Sequence, residues 1–147
     1  MNCMEIKTQD RYLEVGVKVI LKNEKDEVLL LRRNPKKYPE IGPTWDIVGG
    51  RIEIGIPLIE NLKREVKEET GLEIIDEPKL LYAQDIRGIE RFPGRHVVRL
   101  TYISSTFGEP VIDEESLEYQ WVPFSKLKNI DQLDRFLKEV LEKVKLE

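Results

Sequence analysis

The sequence is poor in the features that define several protein classes. It has one cysteine, Cys3, among 147 residues, so no intrachain disulfide can form. Its apolar runs are short, such as VLLL at 28–31, whereas a membrane-spanning helix needs about 20 apolar residues. The first residues, MNCMEIKTQDRY, lack the apolar stretch of a signal peptide. These absences predict a soluble, cytoplasmic protein that does not associate with membranes.

The chain also lacks an excess of basic residues. It contains 24 Lys and Arg against 28 Asp and Glu, which gives a net charge of −4 at pH 7. Proteins that bind nucleic acid generally carry a basic patch and a basic excess, so we expect no nucleic-acid partner. A small anionic ligand remains compatible with this balance, because local arginines or a bound metal can invert the local field.

The composition is that of a globular protein, with 40% hydrophobic and 35% charged residues. The length suits one domain with a substantial core, and we expect a single domain over residues 1–147. Apolar alternation and turn residues predict strands at 12–21, 28–33, 45–48, 73–86, 96–107 and 119–124, with loops at 34–44 and 87–95. Helices are predicted at 57–70 and 130–147. This pattern favours an α/β (α+β) fold with a mixed sheet between helices.

The first predicted helix has clear boundaries. Pro57 suits the first turn, where the missing amide costs nothing. Leu58, Leu62 and Val66 recur every four residues and form an apolar stripe. Gly71 is expected to end the helix in a left-handed conformation. In the second helix, one side carries the apolar residues Leu133, Leu137, Val140, Leu141 and Val144.

Three glutamates, Glu65, Glu68 and Glu69, crowd the end of the first helix. At about 100° per residue they fall within an arc of roughly 100°. A solvated helix face usually mixes charges so that i,i+4 pairs attract, whereas these pairs repel by roughly 0.2–0.5 kcal/mol each. A divalent cation would reverse that repulsion, and carboxylates on one face suit Mg²⁺ or Mn²⁺.

Two glycines, Gly49 and Gly50, precede this helix. They leave the backbone free of side chains, so a carbonyl could reach the same cation and amides could approach a phosphate. An ordinary turn is the alternative explanation of a Gly-Gly pair.

Together these residues resemble the signature of the Nudix (MutT-like) hydrolases. That signature reads Gly, five residues, Glu, seven residues, Arg-Glu, an aliphatic residue, one residue, Glu-Glu, one residue, Gly, an aliphatic residue. The matching positions are Gly50, Arg64, Glu65, Val66, Glu68, Glu69, Gly71 and Leu72, and Glu53 and Gly55 fit the common opening.

The resemblance implies an α/β/α sandwich around a mixed sheet, and Mg²⁺-dependent hydrolysis of a nucleoside diphosphate linked to another group. It implies that Glu65 and Glu69 are the main metal ligands, with Glu68 as a third and the Gly49 carbonyl completing the site. Arg64 would orient a glutamate, and Glu65 or a downstream acid would accept the proton of the attacking water. Glu65, Arg64 and Glu68 form the expected catalytic set.

One position departs from the signature, because Ile56 stands where it has its first glutamate. This favours, as an alternative to a hydrolase, a nucleotide-binding domain without catalysis. A sugar-nucleotide hydrolase is a further alternative, although such relatives lose part of the glutamate triad that this chain keeps. The expected partner is a small nucleotide, and a homodimer is left open.

Other candidate residues lie outside the signature. Arg32 and Arg33 end the second strand, where one of them could bind phosphate, and solvated strand-end charges are the alternative. Arginines in the 87–95 loop could form a phosphate lid, and Glu114, Glu115 and Glu118 are candidate acids. His96 is the single histidine. Aromatic candidates for stacking on a base are Tyr38, Trp45 and Phe92, for which core or loop packing is the alternative.

Overall fold

The computed structural model describes residues 11–39, 42–89 and 92–145. A 3-10 helix at Phe124–Asn129 accompanies the strands and α-helices. In chain order these are β1 (Tyr12–Lys22), β2 (Glu27–Arg33), β3 (Trp45–Asp46), β4 (Val48–Arg51), α1 (Leu58–Thr70), β5 (Lys79–Ile89), β6 (Phe92–Ser105), β7 (Ser116–Pro123) and α2 (Arg135–Lys143). Within the described ranges, neither α-helix has the length and apolar composition that crossing a bilayer requires.

The described strands form one mixed sheet. Its strand order is β3-β2-β1-β6-β5, with β4 also paired to β1 and β7 also paired to β2. β1 and β6 run parallel, with Tyr12 beside Arg95 at one end and Lys22 beside Ser105 at the other. The hairpin predicted from residues 12–33 is present as β1 and β2, joined by a turn in which Asp26 has φ 58°.

Each face of the sheet is covered by one of the helices, because successive strand residues point to opposite faces. Val17, Val19 and Leu21 of β1 pack in the core cluster that contains α1 residues Leu62 and Val66. Ile20 of the same strand packs in the other cluster, with Leu127 of the 3-10 helix and with Leu133, Leu137 and Leu141 in and before α2. The predicted α/β/α sandwich with a mixed sheet is confirmed.

Helix α1 begins and ends where its sequence predicts. Pro57 is the N-cap residue, and Gly71 ends the helix with a φ of 70°. Leu62 and Val66 are fully buried, but Leu58 keeps 38% of its surface exposed. The expectation that Leu58 packs the helix together with Leu62 and Val66 was therefore wrong for Leu58, which is the first helical residue.

Leu62→Ala is expected to lower the free energy of unfolding by about 2–5 kcal/mol, the usual cost of truncating a fully buried leucine. Leu58→Ala is the matched control on the same helix face, and its loss should be clearly smaller because its side chain is partly exposed. Urea unfolding of both variants checks this, and equal losses would contradict the packing described for α1.

The prediction of a loop over residues 87–95 was wrong. β5 continues to Ile89 and β6 starts at Phe92, so the two strands form a long antiparallel hairpin. Gly88 was interpreted as a breaker, but it lies at a register irregularity between Arg87 and Ile89. A strand tolerates glycine at such a bulge, and it tolerates proline near its start. Of the arginines proposed for a lid, Arg87 and Arg95 therefore lie on strands, and Arg91 lies outside the described residues.

Other boundaries also differ from the prediction. The strand expected over 45–48 is divided into β3 and β4, and β4 contains both Gly49 and Gly50, while the strand expected over 119–124 is β7 at Ser116–Pro123. The strand expected over 73–86 begins only at Lys79, after Pro78. The preceding segment is tied to the end of β6 by single hydrogen bonds instead, since the Ile75 amide donates to the Ser105 carbonyl at 3.0 Å and the Ser104 hydroxyl donates to the Asp76 carbonyl at 2.8 Å. The helix expected over 130–147 spans Arg135–Lys143, because the Asp134 side chain caps it by accepting the amides of Phe136 and Leu137.

Candidate active site

A cleft of about 380 Å³ opens between α1, the glycine strand β4 and the adjoining parts of β1 and β2. It contains both signs of charge. Glutamates of α1 lie along one wall and basic residues of the sheet along another. The charged and glycine residues that line it include Lys18, Arg33, Asp46, Gly49, Gly50, Arg64, Glu65, Glu69 and Glu115.

The glycines let β4 pass closely against its neighbours. Gly49 has φ 145°, and a side chain there would collide with the Val17 carbonyl and lie 2.7 Å from the Lys18 Cα. A Cβ on Gly50 would lie 2.6 Å from Oε2 of Glu65. Position 49 therefore requires glycine for space, and Gly50 leaves room for the Glu65 carboxylate, which a larger residue would displace.

Glu65 and Glu69 both face the cleft. One Glu69 carboxylate oxygen accepts the Gly49 amide at 3.2 Å, which joins the end of α1 to β4. Burial raises the pKa of Glu69, and the positive charge of Lys18 only partly opposes this. Burial also raises the pKa of Glu65, and Arg64 opposes it. Placing both carboxylates here is thus costly without a compensating cation.

Arg64 holds two of the three predicted glutamates. Its Nη1 donates to Glu65 Oε1 at 3.1 Å and to Glu68 Oε2 at 3.2 Å. The Glu68 side chain is 58% exposed and is not among the residues that line the cleft. The structure therefore brings Glu65 and Glu69 into the cleft and places Glu68 on the outer side of Arg64.

The donor set fits a hard divalent cation. Two carboxylates and a backbone carbonyl at Gly49 are all oxygen donors, which Mg²⁺ and Mn²⁺ prefer. In the part of the chain that the structure describes, no three acidic, histidine or cysteine side chains already converge as a preformed metal cage. The two carboxylates in the cleft suit Mg²⁺, which commonly keeps several waters and uses only one or two carboxylates.

A buried charge network behind the cleft was missed by the sequence analysis. Asp46 is 2% exposed and is surrounded by three cations: Arg33 at 2.8 Å, Arg99 at 3.0 Å and Lys18 at 3.4 Å. Burial alone would raise the pKa of Asp46, but the positive charges of Arg99, Lys18 and Arg33 hold it well below its usual range. A signal was present, because a lysine or arginine within an apolar strand is rarely buried unless paired.

The network also connects the cleft to α2. Arg99 Nη1 lies 3.4 Å from Oδ1 of Asp134, the capping residue of that helix. Lys18 Nζ donates to the carbonyls of Ile47 and Gly49, each at 3.3 Å. The Gly49 carbonyl that was predicted as a metal ligand therefore lies next to a positive charge.

The two candidate arginines have different surroundings, because consecutive strand residues point to opposite sides. Arg33 lines the cleft and its guanidinium lies 5.4 Å from the centre of the Tyr38 ring. Arg32 instead donates to the Pro43 carbonyl at 3.2 Å and to Glu118 at 3.0 Å. Arg32 is not among the cleft residues.

The other candidate residues from the sequence lie in different parts of the structure, and only some of them line the cleft. Of the three candidate acids, Glu115 lines the cleft, while Glu114 pairs with Lys37 and Glu118 with Arg32. His96 Nε2 lies 2.7 Å from Asp85 on the β5–β6 hairpin. Among the aromatic candidates, Tyr38 lines the cleft and Trp45 packs against the α2-side core. The Phe92 side chain lies outside the described set.

Comparison with known proteins gives a consistent result. Residues 13–144 match the family model of the NUDIX domain. An 8-oxo-dGDP phosphatase of Homo sapiens is 33% identical over 116 residues, which cover 76% of this chain and 32% of that protein. An 8-oxo-dGTP diphosphatase of Buchnera aphidicola is 26% identical over 118 residues, covering 80% of this chain and 82% of that protein. The chain thus spans about a third of the length of the human relative.

Solved structures give the same fold. The MutT protein from Methanosarcina mazei Go1 superposes with a TM-score of 0.79 at 24% identity, covering 91% of this chain and 94% of that chain. The MutT NUDIX hydrolase from Burkholderia pseudomallei superposes with a TM-score of 0.73 at 24% identity, covering 92% and 100%. At this level of identity the likeness supports the architecture alone.

Proposed function

The chain belongs to the Nudix hydrolase family, and from this premise we propose that it hydrolyses a phosphoric anhydride bond in a nucleotide with the help of Mg²⁺ or Mn²⁺. The observation that carries the proposal is the placement of Glu65 and Glu69 beside the Gly49-Gly50 strand, in a cleft whose other wall carries Lys18 and Arg33. Carboxylates suit the cation, and the basic residues suit phosphate oxygens.

In this proposal Glu65, Glu69 and the Gly49 carbonyl hold the cation, and Glu68 supplies a further carboxylate at the helix surface. When bound, the cation supplies a nucleophilic water and neutralises charge on the phosphates. Arg64 keeps Glu65 in place through the 3.1 Å hydrogen bond. Glu65 is the proposed acceptor for the proton of the attacking water, with Glu115 as the downstream acid in the same cleft.

Arg33 is the proposed substrate-binding arginine, because it lies in the cleft wall beside Tyr38. Its planar guanidinium can bind two phosphate oxygens at once. Arg32 was predicted for the same role, and its hydrogen bonds to the Pro43 carbonyl and Glu118 support a role in holding the loop before β3 more than direct contact with phosphate. Arg33→Lys should therefore raise KM more than Arg32→Lys does.

We propose nucleoside di- and triphosphates as the first substrates to test. The human relative is named for 8-oxo-dGDP and the Buchnera relative for 8-oxo-dGTP. The proposal treats residues 1–147 as one domain that acts in the cytoplasm on free nucleotides. Nucleic acid is not the expected substrate, given the net charge of −4.

A substrate screen tests the proposal. Purified protein is incubated with (d)NDPs, (d)NTPs, their 8-oxo-guanine forms, ADP-ribose and dinucleotide polyphosphates, with Mg²⁺ or Mn²⁺. Products are identified by chromatography, and ¹⁸O-labelled water shows which phosphorus is attacked. Metal-dependent cleavage at an anhydride bond is the expected result. Cleavage at the sugar carbon would instead identify a sugar-nucleotide hydrolase.

The alternative of a binding domain without catalysis is favoured by a specific observation, which is Ile56 at the position of a signature glutamate. We expect the wild type to be active nevertheless. Ile56→Glu should therefore change a turnover that is already measurable in the wild type. Ile56→Gln is the matched control, because it removes the same apolar side chain without adding a carboxylate. A wild type inert on every nucleotide, together with an active Ile56→Glu protein, would establish the binding domain instead.

A further inference from the structure

Asn61 is a fully buried polar residue on helix α1, and the proposed chemistry gives it no role. It is 0% exposed although it is the fourth residue of a helix whose outer face is charged. Asparagine is a poor helix former, because its amide competes with the backbone for hydrogen bonds. A buried asparagine in a helix therefore needs tertiary hydrogen bonds to be tolerated.

Asn61 makes those bonds to two different parts of the site. Its Nδ2 donates to the Ile56 carbonyl at 2.7 Å and to the Pro57 carbonyl at 3.2 Å. Its Oδ1 accepts the Glu53 amide at 2.9 Å and Nη2 of Arg64 at 2.9 Å. An amide has two donor hydrogens and two acceptor sites on its oxygen, so the group is saturated.

The surroundings of Asn61 specify an amide in one orientation. The two partners of its oxygen are obligate donors, and the two partners of its nitrogen are carbonyls. A carboxylate would face two carbonyl oxygens, and an apolar side chain would leave the loop carbonyls and the arginine without this partner. The residue therefore connects the 53–57 loop to Arg64 through one rigid group.

Arg64 passes that constraint on to the glutamates. While Nη2 is held by Asn61, Nη1 donates to Glu65 at 3.1 Å and to Glu68 at 3.2 Å. The side chain at position 56 is isoleucine and offers Arg64 no polar group. Glu53 of the same loop lies 3.7 Å from Arg64 Nη1, and its side chain is 61% exposed, whereas the buried hydrogen-bonded connection from the loop to Nη2 runs through Asn61. The only other partner of Nη2 among the described hydrogen bonds is the Arg51 carbonyl, at a longer 3.4 Å.

We propose that Asn61 is a positioning residue of this active site: it locks the 53–57 loop and the guanidinium of Arg64 together, and thereby fixes the Glu65 carboxylate against Gly50. This rests on the proposed function, because it takes Glu65 as a reacting or metal-binding group. Asn61 itself touches neither the cation nor the substrate. Its effect is transmitted through Arg64.

The test is a double-mutant cycle on Asn61→Ala and Arg64→Ala, assayed at a temperature where urea unfolding shows every protein to be folded. Asn61→Ala should lower kcat by about 10- to 100-fold, the usual cost of a small misplacement, with KM for the nucleotide nearly unchanged. In the Arg64→Ala background, the same change should lower kcat by less than about threefold, because residues that act through one another are not additive.

Thr106→Val is the matched control for lost stability. Thr106 is 1% exposed, and its hydroxyl donates to the Glu73 carbonyl at 2.7 Å, away from the cleft. This variant should be destabilised with kcat within about twofold of wild type. Asn61→Asp is a second variant, which keeps an acceptor for Arg64 but places a carboxylate oxygen against the two loop carbonyls. It should be destabilised and should still retain more kcat than Asn61→Ala, because Arg64 keeps its partner.

Two results would overturn the proposal. In one, the effects of Asn61→Ala and Arg64→Ala multiply in full, so that the residues act independently. In the other, Asn61→Ala behaves like Thr106→Val, with lost stability and normal kcat. If the wild type cleaves no nucleotide, it is the proposed function that has failed. The same double-mutant cycle is then carried out with another readout in place of kcat, the rise in melting temperature that Mn²⁺ causes in each variant. Non-additive effects on that rise support the positioning role, and additive ones refute it.

Discussion

Glu69→Gln is expected to lower kcat on a competent nucleotide by about 10²–10³-fold, the loss seen when one group that stabilises transition-state charge is removed. Glutamine keeps the size of the side chain and an oxygen for the Gly49 amide, which lies 3.2 Å from Glu69 Oε1. It removes the negative charge that would hold a cation in the cleft. Steady-state rates at saturating nucleotide and millimolar Mg²⁺ measure the effect.

The control for this prediction is Glu60→Gln, which makes the same chemical change on an exposed face in the first turn of α1. Its turnover should stay within about twofold of wild type, as expected of a surface substitution. Wild-type turnover in Glu69→Gln would show that the glutamates are only a charged helix face, whereas equal losses in both variants would point to general damage to the helix.

Glu69→Gln should also leave the metal-free fold at least as stable as the wild type. Burial raises the pKa of Glu69, so ionising it in the folded protein costs more than ionising it in the unfolded chain. The wild type should therefore lose stability as the pH rises above about 4.3, the usual glutamate pKa, and the variant should lose less, because of the two glutamates in the cleft only Glu65 still ionises. Urea unfolding between pH 5 and 8, with a chelator present, compares the two proteins.

Asp46→Asn is expected to lower the free energy of unfolding by about 3–5 kcal/mol, the cost of removing one member of a buried ion pair. Asparagine retains the shape of aspartate, but it leaves Lys18, Arg33 and Arg99 without the carboxylate that faces all three. Of these three cations, Asp134 forms an ion pair only with Arg99, at 3.4 Å. It therefore compensates only in part for the lost Asp46 carboxylate.

Asp26→Asn is the matched control, because the side chain of Asp26 is 83% exposed in its pair with Lys22. Asparagine also tolerates the left-handed φ of 58° at this position. An exposed pair contributes about 0–1 kcal/mol, so the control should unfold nearly as the wild type does. Similar losses in the two variants would contradict the buried network.

The contribution of Asp46 to the free energy of unfolding also depends on pH. The neighbouring cations depress its pKa in the folded state, so its stabilisation is complete above the pKa of aspartate in the unfolded chain. It is lost as the pH falls below about 3.9, the usual value for aspartate. The difference in stability between wild type and Asp46→Asn should therefore shrink on acidification, which is the opposite sign to the pH effect of Glu69.

The signature residues could be predicted from the sequence because they are close along the chain. Glu65 and Glu69 are one helical turn apart, so helical spacing places them on the same face of α1. The Gly49-Gly50 strand is connected to this helix by one short loop, which keeps the glycines near the glutamates. The left-handed Gly71 and the burial of Leu62 follow from the same local rules. Local periodicity was therefore sufficient for the helix and for the glutamate wall of the cleft.

The buried charge network behind the cleft could not be predicted in the same way. Lys18, Asp46 and Arg99 lie on β1, β3 and β6, and they meet because the sheet order places β1 between β6 and β2, with β3 paired to β2. That strand order is a tertiary property that alternation within one strand does not encode. The hairpin at 87–95 was missed for a related reason, since pairing with a partner strand outweighed the local preference of Gly88, Pro93 and Gly94 for a loop.

The binding of a divalent cation by this cleft is the central claim, and the melting temperature as a function of Mn²⁺ concentration tests it most directly. A ligand that binds only the folded state stabilises it by about 2.7 kcal/mol at a hundred times its dissociation constant. The melting temperature of the wild type should rise as Mn²⁺ increases through the millimolar range, by more than it rises in KCl at the same ionic strength. The melting temperature of Glu69→Gln should show little of this rise. Equal curves for the two proteins, whether both rise or neither moves, would contradict the claim.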